Sequence, residues 1–276
     1  MTPVLLALAS ASAFGAMTVA IRSGLGEAGG ALRATVATLT TALVVVAIAS
    51  LPRHDYTGAW RFFLAGILAP GLSQLLFTLS IREVGASRTS VTVGSAPLFA
   101  LAIAFTFLNE PVRAPLVLGA LAIVTGGILL AAERDRPEHL RARGLLYALG
   151  AAVLFAVRDN IVRALHAHGS PETVAVSTML AGLLVALLAS RSLPRPREIR
   201  AMAPAGLLFG ASYVCLFEAY FRGRVSVVSP LVATESLWGV ALAALFFART
   251  EGVGRRLLLG ASAIVAGGIL IGASTI

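Results

Sequence analysis

Residues 225–271, VSVVSPLVATESLWGVALAALFFARTEGVGRRLLLGASAIVAGGILI, read as two apolar helices hinged at residues 249–256. The stretch is a near copy of residues 84–130, shifted by 141 positions. At that shift 20 of 47 positions are identical, from Val84/Val225 to Leu129/Leu270. An Ala- and Leu-rich composition inflates chance matches. A Glu and three Gly in one register are harder to obtain that way: Glu110/Glu251, Gly119/Gly260, Gly126/Gly267 and Gly127/Gly268. The copies depart at two telling places, where Gly94 becomes Glu235 and Pro97 becomes Trp238. The chain therefore uses one scaffold twice and adds a polar group to the second copy.

Composition sets the medium. The 276 residues are 58% hydrophobic and 13% charged, with a mean hydropathy of +0.89; a soluble domain carries about 25% charged residues. Apolar runs of 18 residues or more recur, long enough to cross a hydrocarbon core of about 30 Å. Backbone groups in that core need internal partners, so the spans are expected as helices. The alternating segments of about ten residues that mark a β-barrel are missing. All 22 basic residues are Arg, and the net charge is +9. The Arg residues cluster in short loops, which reads as a membrane-topology signal rather than a nucleic-acid surface. Cys215 is the single cysteine, so no intramolecular disulfide is available and a packed small side chain is expected. The apolar N-terminus lacks a basic leader and a cleavage site, so it reads as a first span, not a removed signal.

Taken in order, the spans are expected at residues 2–21, 32–51, 62–81, 89–108, 114–132, 144–165, 170–190, 201–221, 226–248 and 257–274. In the third, Pro70-Gly71 predicts a kink. In the fourth, Pro97 cannot donate to the carbonyl near Val93. The fold class is thus an all-α integral membrane protein of ten transmembrane helices. The first repeat covers 1–132, a charged linker 133–143, and the second repeat 144–276. An odd number of spans per repeat forces the second to insert upside down, giving inverted five-helix repeats with a site near the midplane where they meet. Loops after the odd-numbered spans hold fifteen Arg against six in the others. That bias puts the odd loops in the cytoplasm and both termini in the periplasm, for a multi-pass protein of the inner membrane.

Ionisable residues inside spans are costly, and so are functional candidates by default. Glu235 comes first, because its counterpart Gly94 shows that the scaffold does not need a carboxylate there. It is a candidate proton carrier or a partner for a cationic group; the plainer reading is a structural ion pair. Arg158 and Asp159 come next. Successive helical residues diverge by about 100°, so one is expected to face the cavity while the other pairs within the bundle or snorkels. Arg158 either holds an anionic group of a substrate or neutralises Glu235. Trp238, one turn beyond Glu235, is expected on its face, as an aromatic wall or as packing. Glu218, Tyr213 and Gln74 are further polar candidates, with Ser95 and Pro97 at the interruption of the fourth span. Glu110 and Glu251 end a span in both copies and read as structural. The sequence holds no nucleotide-binding loop, no metal-ligand cluster among His54, His139, His166 and His168, and no nucleophile–base arrangement. No cofactor, metal or catalytic residue is expected.

At this point the chain resembles the EamA-type transporters of the drug/metabolite transporter superfamily. The residues that carry the resemblance are Ser95-Ala-Pro97-Leu-Phe, Leu108-Asn-Glu110-Pro, Leu118-Gly119-Ala and Thr125-Gly126-Gly127-Ile. Phe247-Ala-Arg-Thr-Glu251, Leu259-Gly260-Ala and Ala266-Gly267-Gly268-Ile echo them. The resemblance implies a central cavity lined by spans 1, 3, 4, 6, 8 and 9, with 5 and 10 outside. It also implies export or exchange of small polar metabolites such as amino acids. Trp238 departs from it, standing where the repeat would supply a second Pro. The expected partners are a small-molecule substrate and the lipid bilayer, not nucleic acid, for a monomer or homodimer. Coupling stays open between protons carried by Glu235 and an uncoupled facilitator or exchanger. An intramembrane enzyme acting on lipid and a helix-assembly protein are the alternatives from other classes.

Overall fold

Thr2 starts the first helix: its hydroxyl accepts the amide of Leu5 at 3.4 Å, and Pro3 fills the first helical position, where no N–H is needed. The computed structural model describes residues 2–52, 56–108, 113–131 and 142–247, together with 259, 260, 262, 263, 266, 267 and 270. Within these, α1 is Pro3–Gly24 and α2 is Ala31–Ser50. Thr35, Thr40 and Thr41 return their hydroxyls to carbonyls four residues back, while the buried Thr38 hydroxyl has no partner among the described residues. The third helix, α3, runs Ala59–Val84 through the expected kink. Ala69 leaves helical geometry (φ −148°, ψ 121°), the Ala69–Pro70 peptide is cis, and Ile67–Leu72 is wound as a π-helix. Gly182 admits this irregular turn, since a Cβ there would lie 3.0 Å from the amide nitrogen of Gly71.

The expected fourth span is two helices, α4 (Ala86–Val93) and α5 (Ala96–Phe107), broken at Gly94-Ser95 with Pro97 in the first turn of α5. Then come α6 (Ala114–Ala131), α7 (Ala142–Leu165), α8 (Pro171–Ser190) and α9 (Pro196–Arg222). The ninth expected span is again two helices, α10 (Val225–Val232) and α11 (Glu235–Phe246). Hydroxyls take up carbonyls at both breaks. Ser95 bonds Thr92 at 2.7 Å, Thr234 bonds Leu231 at 2.7 Å and Ser236 bonds Ala233 at 2.9 Å. In hydrocarbon such local satisfaction is what makes a broken helix tolerable. The α9 helix starts earlier than its apolar run. Pro196 opens it and the Glu198 carboxylate accepts the Arg195 amide at 2.9 Å, so Arg197 and Arg200 lie on the helix and not in a loop.

Counting α3 across its kink and each broken pair as one, eight helices among the described residues are long and apolar enough to cross a membrane, and α6 is a shorter apolar helix. Among the described residues there is no strand. The linker at 133–141, the span ends at Glu110 and Glu251, and most of the expected span at 257–274 lie outside the described residues. Gly267 is within them. A Cβ on it would lie 2.5 Å from the carbonyl oxygen of Gly119, so two of the repeated glycines set a close helix crossing.

The α1 helix is central, packed against α9, α10 and α11, while α10 lies on α5 and α11 on α4. The two broken helices therefore cross antiparallel, first half against second half. At the crossing of α1 and α11, a Cβ on Gly15 would sit 2.7 Å from the Glu235 carbonyl oxygen, so only glycine allows this approach. The preceding residue of α1, Phe14, meets Phe77, Phe155 and Phe209 edge-on at 5.3, 5.8 and 5.8 Å.

Candidate functional site

The breaks in both helices open onto one cavity. Its wall comes from Ser10 and Phe14 of α1, Val93, Ala96 and Pro97 at the first break, and Ser229, Val232, Ala233 and Glu235 at the second. From α7 come Phe155, Arg158 and Asp159, and from α9 Ser212, Tyr213 and Leu216. The empty space is about 440 Å³, but only about 30 Å³ of it can take the centre of a water molecule. It is a narrow cleft, not a chamber.

Arg158 anchors the charged wall. Its Nε donates to Asp159 Oδ1 at 2.6 Å and its Nη1 to the Tyr213 hydroxyl at 2.6 Å. Three rings, Phe155, Tyr213 and Phe217, surround the guanidinium with centroids 5.6, 5.1 and 5.5 Å from Cζ. Their negative faces favour a desolvated cation. The other oxygen of Asp159 accepts the Tyr220 hydroxyl. Thus Arg158 and Asp159 bind each other and both line the cavity. The expectation that one must face away is corrected, because the long Arg side chain spans the angle that the backbone sets. Asn160 tethers α7 to α5 by donating to the Ala100 carbonyl at 3.1 Å. Ser10 and Ser212 hydrogen-bond through their hydroxyls at 2.9 Å and join α1 to α9.

Glu235 is different. It stands in the first turn of α11 with 7% of its surface exposed. Among the described residues its carboxylate has no hydrogen-bond or ion-pair partner. The ion pair with Arg158 that the sequence left open is not formed; Arg158 bonds Asp159 through Nε and Tyr213 through Nη1.

Pro97 and Tyr213 also line the cavity, but other candidates do not. Trp238 is 44% exposed and its Cβ abuts Gly15, so it does not form a wall beside Glu235. Three residues turn a helix by about 300°, and here the remaining 60° carries the indole past the rim. Glu218 pairs with Arg222 at 2.7 Å near the end of α9. Ser95 is bound to its own break. Gln74 is fully buried just beyond the α3 kink, and neither end of its amide has a partner among the described residues. Sequence reasoning missed Tyr220, Phe155 and Phe217 as site residues. The signal was a stripe: Tyr213, Phe217 and Tyr220 fall at helical positions i, i+4 and i+7.

Ion pairs at two places close the bundle at one end. Glu83, at the end of α3, meets Arg82 and Arg143, each at 2.9 Å. Arg33 of α2 meets Glu198 of α9 at 3.0 Å. The Phe14, Phe77, Phe155 and Phe209 rings lie between that end and the cavity. Along α9 the order is Glu198, Phe209, Ser212 and Tyr213, and along α7 it is Arg143, Phe155 and Arg158.

Membrane-crossing helices, two of them broken around a buried charged cavity, define a multi-pass membrane protein of the transporter class. The chain belongs to the EamA-like transporter family, whose profile matches residues 1–132 and again 142–273. A solved crystal structure is similar with a TM-score of 0.78 and 19% identity over 97% of this chain and 95% of its own, a likeness of fold. No curated protein matches the chain.

Proposed function

We propose that this transporter moves a small polar metabolite, an amino acid or a molecule of similar size, across the inner membrane by alternating access, as an exporter or exchanger. The single observation that carries this reading is the cavity at the two helix breaks with an unpartnered Glu235 on its wall. A buried carboxylate that no protein group neutralises is costly in hydrocarbon. It is retained where a proton or a ligand does the neutralising, so Glu235 is the coupling residue and exchanges a proton for substrate.

The architecture proposed for this is ten transmembrane helices in two inverted five-helix repeats, 1–132 and 144–276, joined by the linker 133–143. The antiparallel crossing of the two broken helices and the family match to each half support it. The Arg bias assigns the ion-paired end to the cytoplasm and both termini to the periplasm. The ring cluster and the ion pairs then form the cytoplasmic closure. A lipid-acting enzyme is less well supported: Ser10 and Ser212 bond each other, and no histidine lines the cavity.

The test is counterflow in proteoliposomes with and without a pH gradient, for wild type and Glu235→Gln. Exchange driven by the gradient in wild type and lost in the variant is expected. A variant that keeps full rate and full proton dependence overturns the coupling role.

A further inference from the structure

Away from the central cavity, we infer that a groove between α9 and α11 holds one acyl chain of a phosphatidylethanolamine, with the lipid phosphate on Arg197 and Arg200 and its ammonium on Glu27. Helices α9 and α11 each pack on α1 and scarcely touch each other. From the close approach at Gly15 toward the ion-paired end they part, and the space between them is an open groove of about 960 Å³, more than twice the size of the central cavity. Ala16 and Ala20 of α1 form its floor, Pro204 and Leu208 of α9 one wall, and Leu242 and Phe246 of α11 the other. Ser23 contributes the one hydroxyl of the lining, and that hydroxyl is bonded to the Val19 carbonyl at 3.0 Å. A polar solute would lose its hydrogen bonds to water in such a groove and gain none.

Depth and charge then select the occupant. All three bounding helices belong to membrane-crossing segments, and Leu245 and Phe246 beside the groove are exposed, so its open side meets the bilayer. From Arg197 to Leu208 the α9 helix rises about 16 Å, half of a hydrocarbon core of about 30 Å. The groove thus has the depth of one leaflet. Its mouth is charged on both sides. Arg197 precedes the lining residue Ala201 by four positions and Arg200 precedes Pro204 by four, which puts both on the groove side of α9. Glu27, in the turn after α1, lines the same end. All three are exposed, and none forms an ion pair among the described residues. Guanidinium groups at this level take a lipid phosphate, and the carboxylate takes a primary ammonium. Phosphatidylethanolamine carries both charges on one headgroup. Phosphatidylglycerol has no cation for Glu27, and the trimethylammonium of phosphatidylcholine has no N–H to donate. The bound chain supplies the packing between α9 and α11 that side chains do not.

The test uses the delipidated full-length protein in detergent, with phosphatidylethanolamine, phosphatidylcholine or phosphatidylglycerol of identical acyl chains added one at a time. Native mass spectrometry reads how much lipid is retained, and melting temperature reads its effect on the fold. One phosphatidylethanolamine per chain is expected, with the largest rise in melting temperature of the three. Ala20→Phe, which fills the groove from its floor, should abolish retention. Glu27→Gln should weaken phosphatidylethanolamine several-fold and leave phosphatidylglycerol unchanged. Arg197→Gln with Arg200→Gln should weaken both. If Ala20→Phe does not fold, the exposed Glu27→Gln variant decides. Equal retention of the three lipids, phosphatidylethanolamine retention unmoved by Glu27→Gln, or no retained lipid overturns the inference; the last is the result if residues 248–258 of the chain itself cover the groove. A protein dimer that excludes lipid and is lost in Ala20→Phe overturns it in favour of a second copy of the chain. None of these readouts involves the cavity's substrate, so their failure leaves the transport reading standing, and failure of counterflow leaves the lipid site standing.

Discussion

Asp159 and Glu235 are both buried acids on one cavity wall, yet they predict opposite mutational outcomes. Asp159→Asn leaves the Arg158 guanidinium without its counter-charge, and breaking such a pair costs about 3–5 kcal/mol. Glu235→Gln removes a charge that had no partner, so its stability should stay within about 1 kcal/mol of wild type. Thermal unfolding of the two variants side by side measures the difference. Gln74 gives a third prediction. Its amide is buried with both ends unsatisfied, so Gln74→Met, of similar volume, should raise stability by about 1–3 kcal/mol. Glu235 was legible in the sequence because the repeat supplied its own control at Gly94. The Arg158–Asp159 pair was legible as two residues but not as a pair, since side-chain reach is not written in helical angles. Tyr220 was passed over because an aromatic stripe in a membrane helix reads first as packing.

The broken helices show where element-level reading stops. Pro97 marks the first break, and its loss at Trp238 made the second copy look continuous. The second break occurs all the same, at Ala233-Thr234, just after Pro230, which has no N–H to give the Ser226 carbonyl. The kink at Pro70-Gly71 needed no such inference, because a Pro-Gly pair admits few alternatives. At this scale the ring cluster is the testable element. Phe77→Ala opens a gap between Phe14 and Phe155, and a Phe-to-Ala change in a packed core costs about 3–5 kcal/mol. In a Cys215→Ala background, a Ser212→Cys probe should become several-fold more reactive to an impermeant thiol reagent added at the ion-paired end. Unchanged labelling would mean that the rings do not seal the cavity.

Across the whole molecule, the ion pairs Glu83–Arg143 and Arg33–Glu198 tie residues of the first match to residues of the second, and both do so at the same end. Each is partly exposed on its Arg side, so each is worth about 0–1 kcal/mol and is screened by salt. The double variant Glu83→Gln with Glu198→Gln should therefore leave melting nearly unchanged while raising labelling of the same cysteine probe from that end. High salt should mimic it in wild type. The crossing at Gly15 has a consequence of another kind. The protein has two tryptophans; Trp60 is 74% exposed, and Trp238 rests on Gly15 within one turn of Glu235. Replacing Trp60 with Phe leaves a single indole at the junction of α1 and α11. The molecule then carries its own optical gauge: any sliding of those two helices during the transport cycle changes the indole's surroundings, and its emission reports the motion without an attached dye.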